Sequence, residues 1–411
     1  MTEKVETVIV GGGQAGLATS YYLKLAGREH VVLEQADRAG NAWRTGRWDS
    51  FTLVTPNWSF LLPGAEYQGV EPGGFMPRDE VVERLERYVT DFDLPVRFGV
   101  RVISVERVAE TGRYLVTTDD GTIDAANVVI ATGMFQRPKA PPLSADIPAA
   151  VDQLHSGQYR NPAALRDGAV LVVGTAQSGA QIAQELYQSG RTVYLSVGSA
   201  GRIPRRYRGR DIFEWLNLTG FFDRTVADLP SPKAKFAGNP HLSGRDGGQT
   251  LNLHQFARDG VILLGHLQGV SGDTIRFAPD RKESLAKVDA FEAQILGGVD
   301  RFIEKSGIDV PAEEVPVLTD GYSADEITEL GLAAAGITTI VWATGYAFDF
   351  GLVKLPVVDG DGYPLQTRGA TEYPGLYFIG MPWLSKMKSG ILLGVGDDAA
   401  FIASEIANRD R

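Results

Sequence analysis

The sequence predicts an α/β fold made of two Rossmann-like nucleotide-binding units, the second inserted into the first. Three observations predict it. Gly11-Gly12-Gly13-Gln14-Ala15-Gly16 follows an apolar run and precedes a helical pattern. Gly174-Thr175-Ala176-Gln177-Ser178-Gly179 repeats that arrangement later in the chain. Two further apolar runs end in Ala131-Thr132-Gly133 and Ala343-Thr344-Gly345, so the order is glycine turn, return, glycine turn, return. A chain of 411 residues is also too long for one ordinary core.

The elements follow in order. Residues 6–10 read as a buried strand, and Leu17, Tyr21, Leu23 and Leu25 space out a helix after it. His30-Val31-Val32-Leu33-Glu34 closes the first strand–helix–strand unit. Residues 41–77 are rich in Trp, Phe, Pro and Gly and show no period. Val81, Val82, Leu85 and Tyr88 mark one face of a helix over 78–92. Residues 96–108 and 114–118 alternate as strands, and Asp119-Asp120-Gly121 signals a hairpin. Residues 127–131 form another apolar strand, and the prolines at 138, 141 and 142 mark a linker. Residues 168–173 open the second unit, with Ile182 and Leu186 on its helix and 192–195 as its next strand. A helix is expected over 282–305, a buried strand over 336–342 and a final helix over 396–407. One unit is placed at 1–150 with 340–411, the other at 165–335.

Composition narrows the function. A net charge of −11 has the wrong sign for an extended phosphate-neutralising surface, so no nucleic-acid partner is expected. Anionic cofactors remain open, because backbone amides and helix N-termini hold them. The absence of cysteine removes disulfides, thiolate metal sites and redox dithiols. His30, His155, His241, His254 and His266 show no metal-ligand spacing, so no metal is expected. No apolar run approaches the roughly 20 residues of a membrane helix. The acidic, mixed N-terminus has no secretory character. A cytoplasmic protein with no membrane partner is the expectation.

In the first motif Gly11 permits the tight turn, Gly13 lets the backbone approach a diphosphate, and Gly16 lets helix and strand pack closely. Glu34 stands about 20 residues on, where a carboxylate accepts ribose hydroxyls. In the second motif Gly174 and Gly179 keep their places, but Ala176 replaces the middle glycine and holds a diphosphate farther off. No carboxylate ends the strand that follows, and Arg202, Arg205, Arg206, Arg208 and Arg210 cluster after it. A missing acid with arginine nearby favours a 2′-phosphate, hence NADPH, with Arg202 the leading contact. A solvated basic loop explains the cluster too, and the Ser/Gly-rich strand end leaves NADH as an alternative. On the phosphate reading, Arg202→Ala raises the KM for NADPH far more than for NADH.

The motif order, together with Gly40-Asn41-Ala42-Trp43 and Leu154-His155-Ser156-Gly157-Gln158-Tyr159, resembles the two-dinucleotide-binding-domain flavoproteins. Within them it resembles the flavin-containing (class B) monooxygenases, the small bacterial type more than the Baeyer–Villiger or mammalian branches. Only His155 and Tyr159 match the linker fingerprint; Ala149 and Val151 stand where that family has Phe and Gly. The resemblance implies FAD on the first motif and NAD(P)H on the second. It implies cofactor contacts from Gly11, Gly13, Gln14, Ala15, Gly16, Glu34, Gln35, Asn41, Trp43, Val102, Ala131, Thr132 and Gly133. It implies others from Gly174, Gln177, Ser178, Gly179, Ser196, Arg202, Ala343, Thr344, Gly345, Gly380 and Leu393. Met381 stands where many relatives carry a flavin-binding Asp, with Asp397 or Asp398 as substitutes. The run 389–398 is read as bringing backbone amides and a helix start to the flavin ring.

Without a dithiol, hydride from NADPH must leave to oxygen, an organic acceptor or a redox partner. The resemblance favours oxygen. It implies insertion of one atom from O2 into a small apolar nucleophile (an amine, a sulfide or an indole-like ring) through a C4a-hydroperoxyflavin. Asn57 falls where such enzymes place an asparagine near the flavin, though turn chemistry after Pro56 explains it equally. His155 is the second catalytic candidate. Trp58 and Trp383 are candidates for a substrate pocket, with Trp43, Trp48 and Trp215 as further aromatic residues. Two other readings stay open: an NAD(P)H flavin oxidase or reductase, and a non-catalytic NADP(H)-sensing protein. The expected partners are a small organic substrate and O2. Stoichiometry stays open, a homodimer included.

Overall fold

The computed structural model describes residues 2–409. The first sheet is built from β1 (Glu3–Val10), β2 (His30–Glu34), β3 (Val96–Phe98), β4 (Val102–Arg107), β5 (Tyr114–Thr118) and β6 (Gly121–Ile130), in the order 3-2-1-6-5-4. Its centre is parallel: Ile9 of β1 lies opposite Val32 of β2 and Val129 of β6. Strands β4, β5 and β6 form an antiparallel meander on one edge. Helix α1 (Gln14–Leu25) connects β1 to β2, and α2 (Arg78–Asp91) precedes β3. The stretch 96–108 divides into two strands because Gly99 takes φ +73. That left-handed turn, open to glycine, lets β3 take the parallel edge of the sheet and β4 the meander edge opposite.

The second sheet contains β7 (Asp152–His155), β8 (Ala169–Val173), β9 (Val193–Ser196), β10 (Ile262–Leu264) and β11 (Ile337–Trp342), ordered 10-9-8-11-7 and wholly parallel. Strand β8 is buried at every position, as a central parallel strand requires, and its sequence is continuously apolar. Helix α3 (Gln177–Gln188) follows β8, and α4 (Arg281–Ser306) is the long helix of this unit. The sequence reading closes this unit at 335. The register instead places β11 in the second sheet, with Trp342 opposite both Val173 and His155. After an isolated bridge of Val353 to Val105 of β4, the chain rejoins the first sheet as a strand at β12 (Leu376–Phe378), where Phe378 pairs with Ile130. An apolar strand ending in Ala-Thr-Gly reads alike for either sheet; only its hydrogen-bond partners decide. The last helix, α5 (Val395–Asn408), packs against α1. Among the described residues no helix is long and apolar enough to cross a membrane.

Candidate active site

The two glycine turns are built alike. Gly11 has φ +112, and a Cβ on it would stand 2.6 Å from the Ala131 carbonyl oxygen. A Cβ on Gly16 would stand 2.0 Å from the Gly11 oxygen. Ala131 N–H donates to Val10 O at 2.9 Å, so the Ala131-Thr132-Gly133 return is packed directly on the turn. Gly174 repeats this with φ +102 and a virtual Cβ 2.7 Å from Ala343 O, and a Cβ on Gly179 would lie 1.9 Å from Gly174 O. Ala343 N–H donates to Val173 O at 3.0 Å. Each Ala-Thr-Gly therefore forms the wall of its own glycine turn.

Gly13 differs from its neighbours. A Cβ there would meet nothing within 4 Å, so this residue faces open space at the start of α1. No side chain caps α1, and none caps α3, whose N-cap is Ala176. Uncapped amides at both helix starts, with the helix dipole behind them, fit a nucleotide diphosphate. Beside the first turn, Glu34 accepts Gly12 N–H at 2.7 Å and Ala36 N–H at 2.8 Å, one bond on each carboxylate oxygen. The carboxylate is thus fixed at the rim with lone pairs left for ribose hydroxyls. Val100 N–H donates to Glu34 O, which brings the start of β4 and Val102 toward that rim. Gln35 next to it is exposed.

The second cradle corrects the reading of Arg202. Its side chain is 5% exposed and forks onto Glu292 at 3.0 and 2.6 Å, with Asp289 at 2.8 Å. It is a core ion pair between the loop after β9 and α4, not a free phosphate contact. Arg205 is buried likewise on Asp211, and Arg208 pairs with Asp300 at 3.0 Å. Ser196 also turns inward, donating to Gly265 O at 2.9 Å. Gln177 ties the α3 start to Pro240 and Leu242, while Gly198 N–H donates to Thr175 Oγ1 at 2.9 Å.

The C-terminal segment crosses the start of α1. Gln14 Nε2 donates to Gly390 O at 3.2 Å, and Gly380, at φ +78, leaves no room for a Cβ against Ala15. Met381 is core. Asp397 points to solvent on Lys388, whereas Asp398 is buried, accepts the Ser385 hydroxyl and keeps one oxygen unpartnered. Burial pushes the Asp398 carboxyl above the usual carboxylate range. Of the two proposed substitutes, only Asp398 faces the interior. Leu393 and Trp58 join one apolar cluster, whereas Trp383, at φ +60, lies outside every such cluster. Trp48 and Trp215 are core residues.

His155 is a positioning residue. Its Nε2 donates to Gly345 O at 2.9 Å, and its Nδ1 accepts Gly157 N–H at 3.2 Å. Burial lowers its pKa, so it stays neutral, and no ring nitrogen is left for proton transfer. Its edge packs on Tyr346 at 4.6 Å, which fixes the second return loop. Asn57 is buried; its Nδ2 donates to Glu71 O at 3.0 Å and its Oδ1 has no partner. The free Oδ1 is an acceptor, and the amide keeps a second Nδ2 hydrogen beyond the one given to Glu71. Asn41 and Trp43 lie half-buried on the short helix Asn41–Thr45. The sequence reading missed Arg47, which stands among Trp43, Phe51 and Phe135. Among the described residues no His/Asp/Glu group could hold a metal.

Fold and site together define an oxidoreductase with two dinucleotide-binding folds. Residues 8–208 match the pyridine nucleotide-disulphide oxidoreductase family. The chain is 32% identical to an uncharacterized CzcO-like oxidoreductase of Geobacillus kaustophilus, over 99% of this chain and all of that one. It is 28% identical to a probable indole-3-pyruvate monooxygenase, YUCCA3 of Arabidopsis thaliana, covering 98% of this chain and 86% of the relative. A flavin-containing monooxygenase from Stenotrophomonas maltophilia shares the fold with TM-score 0.66 at 21% identity, over 98% of both chains. The chain belongs with the CzcO-like oxidoreductases, its residues 8–208 matching the pyridine nucleotide-disulphide oxidoreductase family, and the resemblance to flavin monooxygenases read from its motifs is borne out. With no cysteine, it lacks the dithiol in the family's name.

Proposed function

We propose that this chain is an FAD-dependent, NADPH-consuming monooxygenase that inserts one oxygen atom from O2 into a small apolar nucleophile. One observation carries the reading: two uncapped helix starts, each behind a glycine turn walled by its own Ala-Thr-Gly return, in a chain without cysteine. The first cradle, with Glu34 at its rim and the C-terminal segment clasped by Gln14, suits FAD. The second suits the nicotinamide nucleotide. NADH stays the alternative to NADPH there, since Arg202 is not free to discriminate them. Bound flavin supplies the redox chemistry, taking reducing equivalents from the nicotinamide and activating O2.

The chain's own residues do the rest. Helix amides bind the diphosphates, Glu34 orients a ribose, and His155 holds the Gly345 loop in place. The apolar cluster with Trp58 and Leu393 keeps water from the C-terminal segment. Support for oxygen transfer comes from the monooxygenase relatives and from the lack of any thiol acceptor. The test is turnover under ¹⁸O2 with amines, sulfides and indoles, with NADPH oxidation and peroxide both quantified. Label in an organic product is the expected result. Peroxide equal to NADPH consumed, with no labelled product across the panel, would replace this reading with a flavin oxidase.

A further inference from the structure

Arg47 is half-buried, yet no carboxylate among the described residues pairs with it. Its Nη1 donates to the adjacent Gly46 carbonyl at 2.9 Å, and the rest of the fork has no acceptor among the described residues. Three rings surround the guanidinium carbon: Phe135 at 4.7 Å, Trp43 at 5.3 Å and Phe51 at 5.4 Å. The carboxylates of the flanking segments are engaged elsewhere, Glu86 by Arg44 at 2.6 Å and Asp49 by Arg78 at 3.1 Å. Arg160 adds a second positive charge. Its guanidinium bonds to backbone carbonyls, including that of Arg47 at 3.2 Å and that of Gly157 at 3.1 Å. Desolvation pulls the Arg47 pKa down, as expected of a cation that has lost water without gaining an anion. Contacts with the aromatic rings offset only part of that loss.

The place is as informative as the charge. Phe135 follows the Ala131-Thr132-Gly133 return at the carboxyl end of β6. Tyr346, which feels the charges of both arginines and lies 5.1 Å from Phe135, follows Ala343-Thr344-Gly345 at the carboxyl end of β11. Open α/β sheets bind their ligands outside the carboxyl ends of the strands. The unpaired fork therefore sits in the seam shared by both nucleotide cradles.

Resting on the oxygenase reading above, we propose that Arg47, framed by Trp43, Phe51 and Phe135, binds the carboxylate of a flat organic acid that is the oxygen-accepting substrate. The planar fork matches a carboxylate with two parallel hydrogen bonds, and the ring walls match a flat apolar body. A nucleotide phosphate is the other anion such a fork would hold, and the experiment separates the two.

The measurement is calorimetric binding to the flavin-loaded protein. Benzoate, phenylacetate and indole-3-acetate are each compared with the corresponding neutral amide, and NADP⁺ is titrated separately. The expected result is that at least one acid binds about tenfold or more tightly than its amide. Arg47→Gln should abolish that preference while leaving NADP⁺ affinity within about twofold, and Arg47→Lys should retain part of it. Thermal melting and flavin absorbance confirm that the variants are folded and loaded. Equal affinity for acid and amide, binding of neither, or a tenfold loss of NADP⁺ affinity in Arg47→Gln overturns the proposal. Loss of flavin from the unaltered protein would instead sink the oxygenase reading itself.

Discussion

Replacing Arg202 by alanine discriminates sharply between two roles for that residue. The sequence places it on a nucleotide phosphate; the structure buries it against Glu292 and Asp289. Glu292 is 12% exposed at its side chain and accepts both arms of the fork. Removing one partner of such a pair leaves an uncompensated buried carboxylate and costs about 3–5 kcal/mol. The lower end applies here, because Asp289 is 31% exposed and keeps His254 and Tyr322 as partners. For a domain of this size each kcal/mol moves the midpoint by about 2–4 °C, so Arg202→Ala should melt roughly 6–12 °C lower. The ratio of KM values for NADPH and NADH should stay within about twofold. Arg202→Met combined with Glu292→Leu should recover much of the loss, since a well-packed apolar pair replaces a buried ion pair at little cost. The assays are differential scanning calorimetry and steady-state kinetics with both nucleotides. An unchanged melting temperature with a selective rise in the KM for NADPH would refute the reasoning.

Further outcomes follow from the same geometry. Gly13→Ala should leave the apo protein within about 1 kcal/mol of its original stability, because a methyl there meets open space, yet weaken FAD by about tenfold or more. Equilibrium titration with FAD checks it, and undiminished affinity would remove the diphosphate from that face. Gly11→Ala should by contrast prevent correct folding, given φ +112 and a methyl placed 2.6 Å from Ala131 O; a normal yield of folded yellow protein would contradict this. Burial, with the charge of Arg202, pushes His241 down to about 3 from an ordinary 6.5. The unfolded chain then binds the proton first, so the His241 contribution is complete above pH 6.5. It falls by about 1.4 kcal/mol per pH unit as acidity increases toward pH 3. Denaturant titrations of His241→Gln should show a shallower acid slope than the unaltered protein, and equal slopes would dismiss this linkage. Asn57→Ala should increase peroxide released per NADPH consumed; unchanged coupling would assign Asn57 to the turn alone.

What could be read from the sequence was local. Gly11, Gly13 and Gly16 act within six residues, and Glu34 follows at a distance fixed by one helix and one strand, so spacing alone places them. The paired Ala-Thr-Gly returns were legible for the same reason, since each caps an apolar strand. The assignment of β11 was not, because identical strand chemistry serves either sheet and only the pairing of Trp342 with Val173 settles it. His155 reads as a catalytic candidate because the carbonyl that engages its ring, Gly345 O, lies 190 residues away. Arg202 read as a phosphate ligand because its acidic partner Glu292 lies 90 residues on. Arg47 carries no local signal, because Phe135, the nearest of its three rings, comes from a different loop.

By itself, then, the sequence determined the two nucleotide cradles and the absence of thiol chemistry, since these depend on glycine conformations, short spacings and composition. Tertiary structure alone decided which charged groups are neutralised in the core and which remain open to a ligand. The physical reason is that a side chain's charge is fixed by its covalent chemistry, whereas its solvation and its counter-ion are fixed by distant segments brought together on folding.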